Sequence, residues 1–233
     1  MSGTLYGVGV GPGDPDLLTL KAHRLISSCP VIAYPVSGEG DSLALQIAGN
    51  AVNKDAEHIA ITVPMVTARA PAQAAYDEGA KAIAAHLETE RDVVFLCEGD
   101  PFFYGSYMYL HTRLSQRFAC EIVPGVTSIT ACAAALGRPL AARNDVLKVV
   151  PAPLDEERLR AELEGVDAAA IMKVGRHFEK VRKVLDVLGL VDAAHVVEQV
   201  SHEGQKLTPL ADVPDGAKPY FSTILIYNGG EAW

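Results

Sequence analysis

The sequence of 233 residues has few cysteines, few aromatic residues and too few positive charges to balance its acids. Its four cysteines, at positions 29, 97, 120 and 132, form no Cys-x-x-Cys pair, which predicts buried, reduced thiols and no disulfide framework. Lysine and arginine total 20 against 29 acidic residues, giving a formal net charge of −9 and a pI near 5.2. Because an acidic surface repels phosphate backbones, we expect no nucleic-acid partner.

Signals for metals and membranes are also missing. The seven histidines are scattered without a His-Glu-x-x-His pattern, so we expect no bound metal. No apolar run is long enough to span a bilayer, and the first residues, MSGTLYG, lack the basic and apolar regions of a signal peptide. These absences predict a cytoplasmic protein with no membrane association.

Strand and helix patterns alternate along the chain, which indicates an α/β fold with crossover connections. In the first half we expect strands at Thr4–Val10, Val31–Tyr34, His58–Thr62, Asp92–Cys97 and Cys120–Val123. Between them we expect helices that begin at Asp14-Pro15 and span Ser42–Gly49, Ala70–Leu87 and Phe103–Leu114. Buried strands separated by helices predict a mainly parallel first sheet.

The second half repeats the alternation after a break at Pro124-Gly125. We expect a small-residue helix in VTSITACAAALG, ended by Gly137, and further helices at Asp155–Glu164 and Arg176–Leu188. Strands are expected at Asp145–Val150, Ala168–Lys173 and His195–Val200, and in PYFSTILIYN. A hairpin of Ala193–Val200 with Gln205–Leu210 would make the second sheet mixed. We therefore predict two α/β domains, residues 1–123 and 124–233.

The stretch LYGVGVGPGDPDLLTL, Leu5–Leu20, is typical of a nucleotide-binding loop because glycines follow a buried strand and precede a helix. The dinucleotide pattern Gly-x-Gly-x-x-Gly fails, since Pro12 or Asp14 stands where the third glycine should be. No lysine occurs before Lys21, which excludes a P-loop. The glycines therefore let either a ligand or another segment of backbone approach closely, and the sequence leaves both alternatives open.

Two further segments have the same strand-to-helix character. CEGDPFFYGS, Cys97–Ser106, follows a strand and has Asp100-Pro101 at a predicted helix start. VPGVTSITA, Val123–Ala131, places Thr127 and Ser128 at the start of another helix. Each is an ordinary helix cap by itself, but loops at the carboxyl ends of parallel strands are where open α/β sheets bind ligands.

These three motifs, in this order, resemble those of the tetrapyrrole methylases, the class III S-adenosylmethionine-dependent methyltransferases. The resemblance covers essentially the whole chain. Within the family, AYPVSGEGDS (Ala33–Ser42), CEGDPFFYGS and PYFSTILI (Pro219–Ile226) are most similar to members that methylate precorrin-2 at C20 in cobalamin synthesis, giving precorrin-3A. The resemblance implies two αβα domains with a cofactor cleft between them, and a homodimer.

The resemblance also implies the residues that bind S-adenosylmethionine, whose product is S-adenosylhomocysteine. The expected contacts are Pro12, Glu98, Gly99, Asp100, Phe103, Thr127, Ser128, Met172, Val200, Thr223 and Leu225. The assignment of Val200 is the weaker one, since many members of the family have glycine there. On this interpretation the glycine loop serves a nucleoside without phosphates, so neither a third glycine nor a lysine is required.

The implied substrate is a reduced tetrapyrrole with eight carboxylates, so an acidic protein must gather cations locally. We expect Arg143, Lys148, Lys173 and Arg176 to face the substrate, with Tyr104 nearby, although Arg176 also fits a solvated helix face. Methyl transfer from a sulfonium to carbon relies mainly on alignment. Loss of the C20 proton calls for a base, and the sequence leaves its identity unknown, with Tyr104, His111 and Asp100 as candidates.

Other functions remain open from the sequence. The first alternative is another member of the family, one that acts on the cobalt-bearing substrate, on another carbon or on another tetrapyrrole. The sequence has no evident axial-ligand signature, which favours the metal-free substrate. A branch that methylates RNA ribose is disfavoured by the acidic balance and by the lack of a clustered basic or aromatic face. A non-catalytic sensor of S-adenosylmethionine would differ from an enzyme in binding the cofactor without turnover.

Overall fold

The computed structural model describes residues 2–38, 40–64 and 69–229, so Glu39 of the AYPVSGEGDS stretch lies outside the described residues. The chain divides into two compact units, Met1–Thr127 and Ser128–Trp233. Each unit is built on its own five-stranded sheet. We refer to them as the first and second units.

The first unit contains an all-parallel sheet, as the alternating pattern predicts. Its strands are β1 (Thr4–Gly9), β2 (Val31–Val36), β3 (Glu57–Thr62), β4 (Val93–Cys97) and β5 (Ala119–Val123). Their order across the sheet is β3-β2-β4-β1-β5, so β1 pairs with both β4 and β5. The carboxyl ends of these three adjacent strands therefore meet at one edge of the sheet.

Helices cover both faces of the first sheet. They are α1 (Leu20–Ser28), α2 (Leu43–Ala48), α3 (Arg69–Glu88) and α4 (Tyr107–Leu114). Every residue of β4 is buried, because one set of its side chains packs with α3 and α4 and the alternate set with α1 and α2. This two-sided burial is the physical reason why VVFLC is a continuous apolar run.

The second unit contains a mixed sheet in the order β6-β7-β10-β8-β9. Its strands are β6 (Leu147–Pro151), β7 (Ala168–Met172), β8 (Ala194–Glu198), β9 (Lys206–Pro209) and β10 (Ser222–Tyr227). Strands β6 and β7 are parallel, whereas β10 runs antiparallel to both β7 and β8. The antiparallel pairing of β8 with β9 confirms the hairpin proposed from sequence.

The helices of the second unit are α5 (Ser128–Leu136), α6 (Glu156–Leu163) and α7 (Phe178–Val187). One face of the sheet forms a single apolar cluster with α6 and α7, which includes Ile171, Ile224 and Val196. Helix α5 packs against β10 and contributes nothing to that cluster. Different helices therefore pack against the second sheet in its apolar cluster and at β10.

Two predicted helix starts are wrong in detail. Asp14 caps only a short 3₁₀ turn, Pro15–Leu17, and Thr19 caps α1 through a hydrogen bond from the Ala22 amide to its hydroxyl, 3.1 Å long. The helix expected from Phe103 begins only at Tyr107, because residues 101–106 form turns that carry a left-handed Tyr104. In both places the aspartate-proline pair organises a turn, and the α-helix follows a few residues later.

The cysteines have no disulfide partner, and three of them, Cys29, Cys97 and Cys132, are buried as expected. Burial raises the pKa of the Cys97 thiol to about 11 and that of Cys132 to about 12, which keeps both protonated at neutral pH. Within the described residues, no helix combines the length and hydropathy that a membrane span requires, and no group of acidic, histidine and cysteine side chains is arranged to hold a metal.

Candidate functional site

Three loops meet at the carboxyl edge of β4, β1 and β5, and we call residues 10–14, 98–103 and 124–127 the corner cluster. The first two loops are joined by a two-way bridge. The Gly99 amide donates to the Gly11 carbonyl at 2.8 Å, and the Gly11 amide donates to the Gly99 carbonyl at 3.3 Å. Gly99 has a φ of +63°, a left-handed conformation that glycine adopts without steric cost.

Gly9 and Gly125 bring the third loop against the other two. A Cβ atom on Gly9 would stand 2.5 Å from the Gly99 carbonyl oxygen and 2.7 Å from the Gly125 Cα. A Cβ on Gly125 would collide with the same Gly99 oxygen. Of the two alternatives left open by the sequence, close approach of backbone accounts for these glycines. They allow three loops to pack with no side chain between them.

Asp100 links the second loop to the third. One carboxylate oxygen, Oδ1, accepts hydrogen bonds from the amides of Phe102 at 2.9 Å and Phe103 at 3.1 Å. The other, Oδ2, accepts from the Gly125 amide at 3.1 Å. Three backbone donors therefore occupy the carboxylate. This role is structural and leaves the side chain poorly suited to remove a proton from a substrate.

The corner cluster carries negative charge without a nearby basic side chain in its own segments. Asp14, Glu98 and Asp100 lie in it, and residues 10–19, 98–106 and 124–127 contain no lysine, arginine or histidine. Burial raises the pKa of the Glu98 carboxyl, a rise that backbone hydrogen bonds from Glu98 itself and from Ala44 partly offset. Such a site disfavours a pyrophosphate and favours a neutral or cationic ligand.

Pro12 and Phe103, both expected at the cofactor, are half-buried members of the same cluster. Pro12 follows directly after the Gly11–Gly99 bridge, and Phe103 follows the turn that Asp100 caps. The Phe103 ring packs edge-to-face on Tyr104, with centroids 5.2 Å apart. Tyr104 is exposed and has a φ of 57°, a conformation that costs a non-glycine residue energy and is concentrated at functional sites.

In the second unit, three of the expected cofactor residues share one sheet face. Ile171 and Ile224 point into the apolar cluster with α6 and α7, so alternation along β7 and β10 directs Met172, Thr223 and Leu225 to the opposite face. The Thr223 hydroxyl interacts there with the Cys132 thiol of α5. This face therefore offers apolar surface and one hydroxyl group.

The remaining expected cofactor residues lie at element ends. Val200 is buried just after β8, flanked by left-handed residues at φ 49° for Gln199 and 65° for Ser201. Ser128 is the first residue of α5, and Thr127 immediately precedes it as the last residue of the first unit. Thr127 and Ser128 stand at a helix start as expected, whereas Val200, expected at the end of a strand, lies two residues beyond the last residue of β8.

The expected substrate cations do not gather in one place. Lys173 and Arg176 are exposed and follow β7 at its carboxyl end, whereas Arg143 precedes β6 at the opposite edge of the same sheet. Lys148 is a residue of β6, and its ammonium donates to the Glu162 carbonyl of α6 at 2.7 Å. We therefore leave Lys148 out of the proposed substrate contacts.

Two features of the structure were not expected from the sequence. The pairing of Gly125 with Asp100 and Gly99 joins residues about 25 positions apart, and no local pattern marks it. The second is a polar group in the second unit formed by Arg138, His195 and Tyr227. The period-two alternation of β8 and β10 would have placed His195 and Tyr227 on one face, but the sequence gives no pairing register for these strands.

Comparison with known proteins identifies the family. A sequence model of the tetrapyrrole (corrin/porphyrin) methylases matches residues 4–214. The chain therefore belongs to the tetrapyrrole methylases, as its motifs indicate.

Several individual relatives are similar over almost the whole chain. The cobalamin biosynthesis protein CobIJ of Mycobacterium bovis is 43% identical over 97% of this chain, and the match covers 46% of that protein. The chain thus spans about half the length of this relative. The precorrin-2 C(20)-methyltransferase of a Sinorhizobium species is 38% identical over 96% of this chain and 95% of that protein. A cobalt-precorrin-2 C(20)-methyltransferase of Salmonella typhimurium is 33% identical over 97% of both.

Among solved structures, the uroporphyrin-III C-methyltransferase of Thermus thermophilus in complex with S-adenosylhomocysteine has a TM-score of 0.68. It is 27% identical, and the match covers 96% of this chain and 97% of that one. The fold class expected from the sequence, with one parallel and one mixed sheet, is therefore confirmed both by the strand pairing and by this likeness.

Proposed function

We propose that this protein transfers a methyl group from S-adenosylmethionine to carbon C20 of precorrin-2, giving precorrin-3A and S-adenosylhomocysteine. The observation that carries the choice of acceptor is 38% identity to a precorrin-2 C(20)-methyltransferase along nearly the full length of both chains. The choice of donor rests on the corner cluster and on the related Thermus protein, whose structure contains S-adenosylhomocysteine.

The corner cluster fits S-adenosylmethionine in two respects. Close packing at Gly9, Gly99 and Gly125 brings the ends of three loops together, where main-chain groups can hold a ligand, and the carboxylates of the cluster have no basic residue in its own segments. A sulfonium cation is compatible with this charge, whereas a dinucleotide or a nucleoside triphosphate would meet repulsion. Pro12, Glu98, Gly99, Asp100 and Phe103 are the proposed contacts in the first unit.

Ser128, Met172, Val200, Thr223 and Leu225 are the proposed contacts in the second unit, and Thr127 lies at the boundary. Met172, Thr223 and Leu225 present apolar side chains and one hydroxyl on a single face, which suits an adenosine. Truncation of Met172 to alanine should weaken binding of S-adenosylhomocysteine by about tenfold, measured by calorimetry. Leu207→Ala is the matched control, because Leu207 is an exposed apolar residue of β9.

When bound, S-adenosylmethionine supplies an activated methyl group, so the residues of this chain have to align the acceptor, exclude water and leave the C20 proton a route out. Alignment of this kind accounts for on the order of 7–11 kcal/mol of a barrier in favourable cases. Since three amides occupy Asp100, the proposed role of that residue is to hold the corner cluster, and no side chain is assigned as the base.

Tyr104, Arg143, Lys173 and Arg176 are the proposed substrate contacts. Tyr104, Arg143 and Lys173 all have left-handed backbone conformations, with φ of 57°, 46° and 59°. Each costs about 1–3 kcal/mol, which is a reason to seek a functional role for it. Charge-neutral substitution of Lys173 or Arg176 should raise the KM for the tetrapyrrole, and an unchanged KM would remove that residue from the site.

The decisive experiment supplies the purified protein with carbon-13 methyl-labelled S-adenosylmethionine and enzymatically made precorrin-2, with and without cobalt. One added methyl group, located at C20 by mass spectrometry and carbon NMR, is the expected result. Methylation only of the cobalt-bearing tetrapyrrole would reassign the substrate to the form named in the Salmonella relative. Methylation at another carbon would refute the C20 assignment, and binding without turnover would indicate a sensor.

A further inference from the structure

A small pocket of the second unit contains polar groups that the proposed methyl transfer does not use. Its walls are largely apolar, formed by Leu136, Pro139, Leu140 and Leu225. Arg138 and His195 also line it, and Tyr227 borders it at the end of β10. The pocket is adjacent to the proposed cofactor face, because Leu225 belongs to both.

Arg138 and His195 are hydrogen-bonded to each other, and both keep N–H groups that can donate to a ligand. The Arg138 Nη1 atom lies 3.2 Å from His195 Nδ1. Because arginine has no acceptor, His195 accepts at Nδ1, and its Nε2 then carries the proton and is left as a donor. Burial and the neighbouring Arg138 charge lower the pKa of His195, which keeps the ring neutral at pH 7.

The acidic neighbour of the pocket is already engaged. The Asp145 carboxylate accepts a hydrogen bond from the Ala142 amide at 2.9 Å and interacts with the Tyr227 hydroxyl. Among the described residues, no carboxylate forms an ion pair with Arg138 within 4 Å. A half-buried guanidinium and an imidazole N–H therefore face the same small space, whose volume of about 10 Å³ admits one water-sized group.

We propose that a carboxylate binds at the open side of this pocket, with Arg138 and His195 as donors, and that a propionate side chain of the tetrapyrrole substrate supplies it. Arginine binds carboxylates through two parallel N–H groups, and the leucine and proline side chains beside it offer apolar contact to the methylene groups of the arm outside the pocket. The assignment of the arm to the substrate rests on the proposed function. Carboxylate binding in the pocket does not.

The first test follows the His195 ring by NMR during pH titration, with sodium propionate as the probe and propionamide as its neutral control. Propionate should raise the pKa of His195, because a nearby anion stabilises the imidazolium, and propionamide should leave it unchanged. Arg138→Gln should abolish the response to propionate. A His195 pKa that does not respond to propionate in the wild-type protein overturns the proposal.

The second test measures initial rates with the tetrapyrrole. Arg138→Gln should raise its KM about tenfold to hundredfold, with kcat and the KM of S-adenosylmethionine within about twofold. Arg138→Lys keeps the charge but loses the forked geometry, so its KM for the tetrapyrrole should lie between those of the wild type and Arg138→Gln. Arg160→Gln, at an exposed arginine on α6, is the matched control and should change nothing.

The combined outcomes separate the two claims. A changed His195 pKa with an unchanged tetrapyrrole KM would overturn the assignment to the substrate and identify a free small acid as the ligand. If the wild-type protein methylates no tetrapyrrole, the proposed function fails, and the NMR titration still decides whether the pocket binds carboxylates. Thermal unfolding of each variant distinguishes lost binding from lost folding.

Discussion

Removal of the Asp100 carboxylate tests the central structural feature of the corner cluster. In the Asp100→Ala variant, the amides of Phe102, Phe103 and Gly125 lose their side-chain acceptor, and Phe103 keeps only its long bond of 3.4 Å to the Asp100 carbonyl. The Phe102 amide is exposed and can bond to water, whereas the bonds to Phe103 and Gly125 are partly buried. We expect about 1 kcal/mol from the lost cap and about 1–2 kcal/mol from the orphaned Gly125 amide.

The total of about 2–3 kcal/mol can be compared with two other substitutions. Asp155→Ala removes an aspartate that caps α6 through a single bond from the Arg158 amide, so we expect about 1 kcal/mol. Asp100→Asn retains one amide oxygen, which can keep both Phe102 and Phe103, but turns an NH₂ group toward the Gly125 amide. This variant should lie between the other two.

Urea unfolding gives the free energies, and amide hydrogen exchange assigns the loss to particular groups. The amides of Phe103 and Gly125 should exchange faster in Asp100→Ala, while only Gly125 should do so in Asp100→Asn. Affinity for S-adenosylhomocysteine should fall together with Gly125 protection. If the stability of Asp100→Ala matches that of wild type within about 0.5 kcal/mol, or if Gly125 exchange is unchanged, the bridging role is refuted.

Three further predictions concern residues of the first unit, with Gly137 of the second unit as a control. Gly125→Ala should disrupt the corner cluster and abolish cofactor binding, because its Cβ would collide with the Gly99 carbonyl. The control Gly137→Ala meets no atom within 4 Å and should lower the free energy of unfolding by only about 1 kcal/mol, for its φ of +62°. Calorimetry with S-adenosylhomocysteine and urea unfolding compare the two variants. The raised pKa of Glu98 favours its neutral form as pH falls, so affinity for the cationic cofactor should decrease toward acidic pH. Glu98→Gln should flatten this pH dependence. An identical pH profile in the variant would contradict the assignment of Glu98 to the cofactor site. Tyr107→Phe removes a buried hydroxyl that forms no close hydrogen bond among the described residues and interacts with the weakly polar Cys120 thiol. Unfolding should therefore show nearly unchanged stability, and a loss above about 1 kcal/mol would contradict this.

The regular elements follow from local chemistry and are largely predictable. The strand VVFLC is apolar throughout because both of its faces are covered, and that property is visible in the residues themselves. Asp155 and Ser42 cap α6 and α2 as their sequence positions indicate. The α1 start differs from the prediction because Asp14-Pro15 and Thr19 are both good caps, and packing of Ala22 and Ile26 in the core favours the later one.

The candidate site is predictable in its parts but not in its assembly. The motifs mark Gly9, Gly99 and Asp100 as special, yet they do not show that these residues contact Gly125. The same holds for the cations, where residue type identifies Lys148 as a plausible carboxylate partner. The tertiary structure shows that the Lys148 ammonium instead donates to the backbone carbonyl of Glu162.

Consecutive residues are sufficient to indicate the family, the alternation of strands and helices, and the absence of a phosphate-binding lysine from the glycine loop. These are properties of consecutive residues, and they can be identified without knowledge of distant contacts. Strand order, the pairing register of β10 between β7 and β8, and the meeting of Asp100 with Gly125 were decided only in the tertiary structure. Local patterns cannot encode them, because burial and close backbone approach depend on the combined packing of residues far apart in the chain.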